Sequence, residues 1–247
     1  MKRLLILGGT GGAAKLAAQA ALLQGVEVIT SLAGRTRRPV TPSGRVRIGG
    51  FGGDAGLVDY MREQRIDLLI DATHPFAAHI SFNAATAAQA CGLPHLLLVR
   101  PAWEPVAGDH WIAVESIAAA VSILPSVAQR VFLTIGRQDL AAFALLKNLW
   151  FLMRMIDPPT PDTAVPPGTL LLERGPFTLE DERELLKTYA IGAIVSKNSG
   201  GDATYAKMTA ARELALPVVM VQRPPIPVGG EQVTDVEEAL AWLARYL

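Results

Sequence analysis

Short apolar or β-branched runs alternate with longer alanine-rich runs along almost the whole chain, and the two kinds of run have different periods. "RLLIL", "EVITS", "LLID" and "HLLLV" are four or five residues long, with little polar interruption. Parallel strands covered on both faces read this way. Between them lie stretches with apolar residues at helical spacing. The pattern predicts strands over 3–7, 27–31, 45–48, 68–71 and 95–99, with helices over 12–24, 55–64 and 76–90. "RPAWEPVAGDHW" then breaks the rhythm with two prolines and a glycine, as a crossing between domains would. A second series follows, with strands over 111–114, 131–134, 150–155, 170–173, 193–196 and 218–221. Its helices are expected over 116–124, 179–188, 203–213 and 236–245. Alternating βα units imply an α/β protein with mainly parallel sheets. The expected division is a nucleotide-binding domain over 1–103 and a second α/β domain over 104–247.

Composition narrows the function classes. Among 247 residues, 23 Lys+Arg balance 23 Asp+Glu, so charge gives no support to a nucleic-acid partner. A single cysteine, Cys91, excludes an internal disulfide framework and a cysteine-based metal site, and it fits a reducing cytosol. The apolar stretch after Lys2 and Arg3 ends at Gly8, too short for a signal peptide, and no apolar run is long enough to span a membrane. A soluble cytoplasmic protein is expected.

The first strand runs directly into glycines. In "LLILGGTGGAAKLA", Gly9, Gly11 and Ala14 satisfy G-x-G-x-x-G/A, with Gly8 adding room for the turn and Thr10 between them. Such a turn lets a pyrophosphate approach the backbone at a helix N-terminus, where free N–H groups and the positive dipole end face it. A plain tight βα turn is the alternative. The end of strand two favours the dinucleotide. An NAD site usually carries an acid there to bind the ribose hydroxyls. This strand ends "VITSLAGRTRRP", with Ser31, Arg35, Arg37 and Arg38 and no acid after Glu27. Guanidinium groups bind a 2′-phosphate, whereas a carboxylate repels it, so NADPH is the expected cofactor. Strand four ends "IDATHPFAAHIS", placing Thr73 and His74 where Rossmann-type reductases hold the nicotinamide. His74 is a candidate proton donor or substrate ligand; as plain structure, Thr73 is a cap and His74 a turn residue. His79 lies five positions on, a poor match to metal-ligand spacing, and no metal site is expected.

Three strands of the second series end in a cation and glycine. "TIGRQD" offers Arg137, "LERGPF" offers Arg174, and "VSKNSGGD" offers Lys197 with Asn198, Ser199, Gly200 and Gly201. In a parallel sheet these ends share one edge, and ligands of open α/β sheets bind outside that edge. The combination suits a large anion bearing several carboxylates. Asp202 is expected to cap the next helix, and Tyr205 to point toward the same rim.

With "ILGGTGGA", "SLAGRT", "DATHPFA", "RGPF", "VSKNSGG", "TYAKMTAAREL" and "PVVMVQRP" in this order, the chain resembles the precorrin-6A reductase family of cobalamin (vitamin B12) biosynthesis. The resemblance covers nearly the whole chain. It implies two Rossmann-like three-layer α/β domains with the active site in a cleft between them. It also implies NADPH-dependent reduction of one double bond of the precorrin-6A macrocycle, giving precorrin-6B (dihydro-precorrin-6A). Anaerobic relatives act on the cobalt-containing substrate. The family often has Glu where this chain has Gly12, which removes an acid from that helix start but leaves the glycines intact. The macrocycle is fringed with carboxylates, which suits the cationic rim, and its small-molecule nature implies no macromolecular partner beyond transient contact with neighbouring pathway enzymes. The candidate catalytic residues are His74, Lys197 and Tyr205. Two other readings remain open. A different NADP(H)-dependent reductase would have a small closed pocket and no spread of cations. An NADPH-sensing Rossmann protein would bind the nucleotide without turnover.

Overall fold

The structure is a computed structural model, described over residues 1–34 and 43–247. In chain order its elements are β1 (Lys2–Leu7), α1 (Gly11–Ala20), β2 (Val26–Leu32), β3 (Arg45–Ile48), α2 (Gly53–Glu63), β4 (Leu68–Asp71), α3 (Ala78–Cys91) and β5 (His95–Leu98). There follow β6 (His110–Val114), α4 (Ile117–Val127), β7 (Arg130–Thr134), α5 (Leu140–Phe143), β8 (Trp150–Met155), β9 (Gly168–Leu172), α6 (Leu179–Thr188) and β10 (Ala193–Lys197). A 3₁₀ turn (Asp202–Thr204), α7 (Ala206–Glu213), β11 (Pro217–Val221), β12 (Glu231–Val233) and α8 (Val236–Ala244) complete the chain. The strands form two six-stranded sheets, ordered β12-β5-β4-β1-β2-β3 and β6-β11-β10-β7-β8-β9. Every pairing within them is parallel.

The first unit comprises Met1–Pro101 together with Pro224–Leu247. Its central strands are apolar on both faces because both are covered. Leu4 and Ile6 pack with Leu16, Ala17, Trp242 and Leu243 on the α1–α8 side. Leu5 and Leu7 pack with Leu57, Met61 and Ala84 on the α2–α3 side. Side chains alternate across a strand, so a run without polar residues is what two covered faces require.

The second unit is Ala102–Arg223. Phe132, Leu152, Ile194, Val218 and Met220 form the sheet's contribution to its core, against Leu186, Met208 and Ala211 of α6 and α7. Trp103, from the segment that enters the unit, joins the same core.

The domain division expected from the sequence needs correction. Residues 224–247 do not belong to the second unit; β12 pairs in parallel with β5, Glu231 against Leu96 through Val233 against Leu98, and α8 covers the first sheet. Each sheet has the strand order 3-2-1-4-5 of a Rossmann half, with one further strand at the end. Chain order would give β6 to the first sheet and β12 to the second. The two are exchanged: β6 pairs with β11, and β12 with β5. A three-residue strand carries too little pattern to declare its partner; burial of Val236, Trp242 and Leu243 against α1 decides it.

Candidate active site

In the first unit the strand order reverses at β1, so the turns after β1 and β4 stand side by side, with Leu7 opposite Asp71. The glycines of the first turn have separable reasons. A Cβ on Gly8 would come within 3.1 Å of the Thr30 methyl, and Gly9 has φ +109°, which only glycine adopts readily. Gly11 differs from both. A side chain there would meet no atom within 4 Å, and one at Gly12 would meet only the Thr10 hydroxyl at 3.9 Å. Packing does not demand these two glycines, whereas a pyrophosphate at the start of α1 would occupy that space.

Thr10 ties the two turns together. Its Oγ1 accepts from Ala13 N–H at 3.1 Å, capping α1, and donates to the Ala72 carbonyl at 2.9 Å. Beside it, buried Asp71 accepts from Thr73 N–H at 2.9 Å and from the Thr73 hydroxyl at 2.6 Å. The Thr73 proton is therefore committed to Asp71, and toward a ligand the hydroxyl can act only as an acceptor. His74 Nδ1 accepts from Phe76 N–H at 3.2 Å, so the neutral ring carries its proton on Nε2. Behind this edge, burial pushes the His95 imidazole below its ordinary pKa while the charge of Asp71 pulls it back up.

Ser31 stands at the end of β2, 5 % exposed. Arg35, Arg37 and Arg38 lie outside the described residues. The guanidinium that the structure does place beside Ser31 is that of Arg47, on β3, directly opposite in register. Sequence reading passed over Arg47, although "RVRIGG" has the same strand-end cation and glycines that drew attention elsewhere.

In the second unit the order reverses at β7, and the ends of β11, β10 and β7 are consecutive along the rim. They bring Arg223, Lys197 and Arg137 to or just beyond neighbouring strand ends. Arg174 follows β9, at the far edge of the sheet, and lines a groove of about 560 Å³ with Phe177 and the carboxylates Glu173, Asp181 and Glu184. The rim is also less uniformly cationic than its sequence suggests, because Lys197 Nζ is ion-paired with Asp139. Arg137 donates to the Pro158 carbonyl at 3.3 Å. Arg223 braces the Lys197–Gly201 loop, donating to the carbonyls of Asn198 at 2.8 Å and Ser199 at 3.0 Å.

Three expectations for this loop are revised. The Asn198 amide is 5 % exposed and paired with the Trp103 backbone, accepting at 2.8 Å and donating at 3.0 Å. It anchors the loop, with both amide atoms engaged by backbone. The Tyr205 hydroxyl accepts from Arg212 at 3.1 Å, and Arg212 is itself held by Asp109. Tyr205 is thereby turned down along α7, away from the rim. Asp202 opens the 3₁₀ turn without making a side-chain cap. Gly200 and Gly201 have φ of +70° and +79°, so the turn itself requires them, and the Gly201 carbonyl accepts from the Trp103 indole at 2.9 Å. Ser199 Oγ donates to the Lys197 carbonyl at 3.4 Å.

Beneath the loop lies a group of buried charges that sequence reading missed. Arg154 on β8 donates to Glu182 at 2.5 Å, and its guanidinium sits 3.6 Å from the Phe177 ring centroid. Lys207 donates to the Thr204 carbonyl at 2.8 Å and lies 4.7 Å from the Trp103 ring centroid. Burial pushes its ammonium pKa down to about 7, with Glu182 opposing and Arg154 reinforcing the shift. No group of three or more His, Cys, Asp or Glu among the described residues is arranged to hold a metal ion. No described helix is long and apolar enough to cross a membrane.

Residues 3–244 match the family model described as precorrin-6x reductase CbiJ/CobK. The chain belongs to this family. Among its relatives, the precorrin-6A reductase of Rhodococcus erythropolis is 53% identical over 244 residues, covering 98% of each chain. That of Mycobacterium tuberculosis is 47% identical over 245 residues, covering 99% of this chain and 98% of the relative. The solved structure of a CobK precorrin-6A reductase superposes with a TM-score of 0.92 at 43% identity, covering 100% of this chain and 97% of that one. A cobalt-precorrin-6A reductase from Priestia megaterium is 29% identical over 185 residues, covering 70% of this chain and 71% of the relative. Membership in the precorrin-6x reductase family accords with the fold: two parallel α/β sheets, each with a loop-rich carboxyl edge at its reversal point.

Proposed function

We propose that the chain is an oxidoreductase acting on a CH–CH group, which uses NADPH to reduce one double bond of precorrin-6A to precorrin-6B in cobalamin biosynthesis. The observation that carries this reading is the glycine turn after β1. Its Gly11 has no packing reason to lack a side chain, and it opens α1 beside a strand end bearing Ser31 and no acid. The backbone N–H groups of the turn and the dipole end of α1 would hold the pyrophosphate. When bound, NADPH supplies the hydride. The chain's part is chiefly positioning, since hydride transfer needs donor and acceptor carbons roughly 3–3.5 Å apart. Lys197, Arg137 and Arg223 are suited to the carboxylates on the macrocycle's edge, charge-assisted contacts that fix orientation as well as affinity.

The reduced macrocycle must also gain a proton at the neighbouring carbon. Of the three candidate donors, Tyr205 is bound to Arg212 and Lys197 is paired with Asp139. His74 has its proton on Nε2 and follows β4 beside the glycine turn, where the nicotinamide would lie, and this position assigns the proton to it. The relatives that share 44–53% identity are precorrin-6A reductases, whereas the cobalt-precorrin-6A reductases share 25–29%, which favours the cobalt-free substrate. A single cysteine fits a reducing, cytoplasmic setting.

The test is anaerobic incubation of the purified protein with precorrin-6A and NADPH. Oxidation of the nicotinamide, in step with a change in the macrocycle's absorption, is expected. Absence of both changes would sink the assignment. Faster turnover of the cobalt form would transfer it to the anaerobic substrate.

A further inference from the structure

We propose that Arg47 is the residue by which the first unit selects a 2′-phosphorylated dinucleotide over an unphosphorylated one. The inference rests on reading the glycine turn as a dinucleotide site and goes on to name its specificity determinant. Four observations on β2, β3 and α2 carry it.

The register sets Arg47 opposite Ser31, at the strand end where a dinucleotide's adenosine ribose lies in this topology. Arg47 Nη1 is 3.3 Å from Ser31 Oγ, so guanidinium and hydroxyl form one polar surface. The acid expected at this place in an NAD site is missing. Glu27, the only acid of β2, lies near the start of the strand and is paired with Arg3 at 2.8 Å.

The guanidinium is held firmly without being neutralised. Nη1 donates to the Gly49 carbonyl at 2.6 Å and Nη2 to the Gly50 carbonyl at 2.7 Å. Its carbon lies 3.8 Å from the Phe51 ring centroid and 5.0 Å from that of Tyr60, and the two rings meet edge to face at 5.2 Å. These contacts engage three of the five N–H groups of the guanidinium. Among the described residues no carboxylate pairs with Arg47. An aromatic and carbonyl cradle therefore fixes a positive charge with no carboxylate partner among the described residues, at the position of the ribose 2′ substituent. A phosphate there would supply the counterion and bind in the planar geometry that favours arginine over lysine.

A purely structural role is the competing account: Arg47 would then only staple the turn between β3 and α2. Binding of NADP⁺ and NAD⁺ to the wild type, Arg47→Ala and Arg47→Lys, measured by calorimetry, separates the two. The expected result is a preference for NADP⁺ in the wild type that falls about 10- to 100-fold in R47A, the value of one hydrogen-bonded charge contact. NAD⁺ affinity should change less than about threefold, and R47K should keep part of the preference by keeping the charge. Each ratio is taken on one protein sample, so partial destabilisation of a variant cancels. Equal loss of both nucleotides in R47A would leave the staple and overturn the proposal. An unchanged preference in R47A would overturn it too, while the cofactor reading stands. A wild type that binds neither nucleotide, or both equally, would remove the NADPH reading and this proposal with it.

Discussion

The two units share a topology and differ at the one place where topology puts ligands. Each sheet reverses its strand order at a central strand, β1 in one and β7 in the other, and each leaves a glycine just beyond it. After β1 comes Gly11 and a ten-residue helix, whose unsatisfied N–H groups and dipole face the open end. After β7 come Gly136, Arg137 and Asp139, then a helix of only four residues. So short a helix has little dipole to offer, and the second unit presents side-chain charges instead: Lys197, Arg137 and Arg223 at or beyond the ends of adjacent strands. Topology thus provides the location, and the residues of the turn decide its chemistry: backbone N–H groups in one unit, side-chain charges in the other, which is the contrast behind the proposed pyrophosphate and carboxylate sites.

Four substitutions break or sharpen this contrast, in falling order of expected effect. Gly11→Asp places a negative charge in the open space before α1. Dinucleotide affinity should fall roughly 100-fold or more, by repulsion and lost approach. The melting temperature should barely move, because a Cβ there meets nothing within 4 Å. A large loss of stability instead would mean that the glycine serves the fold.

Lys197→Ala is the counterpart in the second unit. KM for the macrocycle should rise about tenfold, as expected for one charge-assisted contact, with dinucleotide affinity unchanged in a direct titration. A fall in dinucleotide affinity would assign that rim to the cofactor.

Lys207→Met tests the buried charges under the same loop. The folded ammonium titrates near pH 7 and an ordinary one near 10.5. Between these values the unfolded chain binds more protons, so wild-type stability rises with pH across this window. Methionine removes both the slope and the cost of the buried charge. The variant should melt higher than the wild type at pH 7, by about 1 kcal/mol or more of stability, and the gap should narrow toward pH 10. A gap that stays constant from pH 7 to 10 would show that Lys207 does not titrate in this range.

Tyr205→Phe should do least. Its hydroxyl accepts from Arg212, which Asp109 also holds at 2.8 Å. Turnover within about twofold of wild type is expected, because the guanidinium keeps its ion pair with Asp109 when the hydroxyl is lost. A loss of several orders of magnitude would restore Tyr205 as proton donor.

The features legible in the sequence are those whose environment is local. Thr10 and the glycines of the first turn, and Lys197 at the end of β10, follow from a strand meeting a loop within a few positions. Asn198 was misread because its partner is Trp103, 95 positions away, and an asparagine between a lysine and glycines looks the same whether it faces ligand or core. Arg47 and Arg223 obey the same strand-end rule as Arg137, so their signal is present in the sequence. Arg174 shows the opposite failure. It obeys the rule but sits on an edge strand, because strand order in space differs from strand order in the chain.

The sequence by itself determined the α/β class, the parallel sheets, the glycine turn after β1 and the cation-bearing strand ends. Hydrophobic period and turn chemistry act within a few residues, and they are written at that range. Only the tertiary structure decided the exchange of β6 and β12, the return of residues 224–247 to the first sheet, the use of Asn198 as an anchor and the placement of Arg47 against Ser31. These depend on which distant surface buries a short strand or satisfies a polar side chain. That choice is made by the free energy of the whole packed sheet, and no local pattern records it.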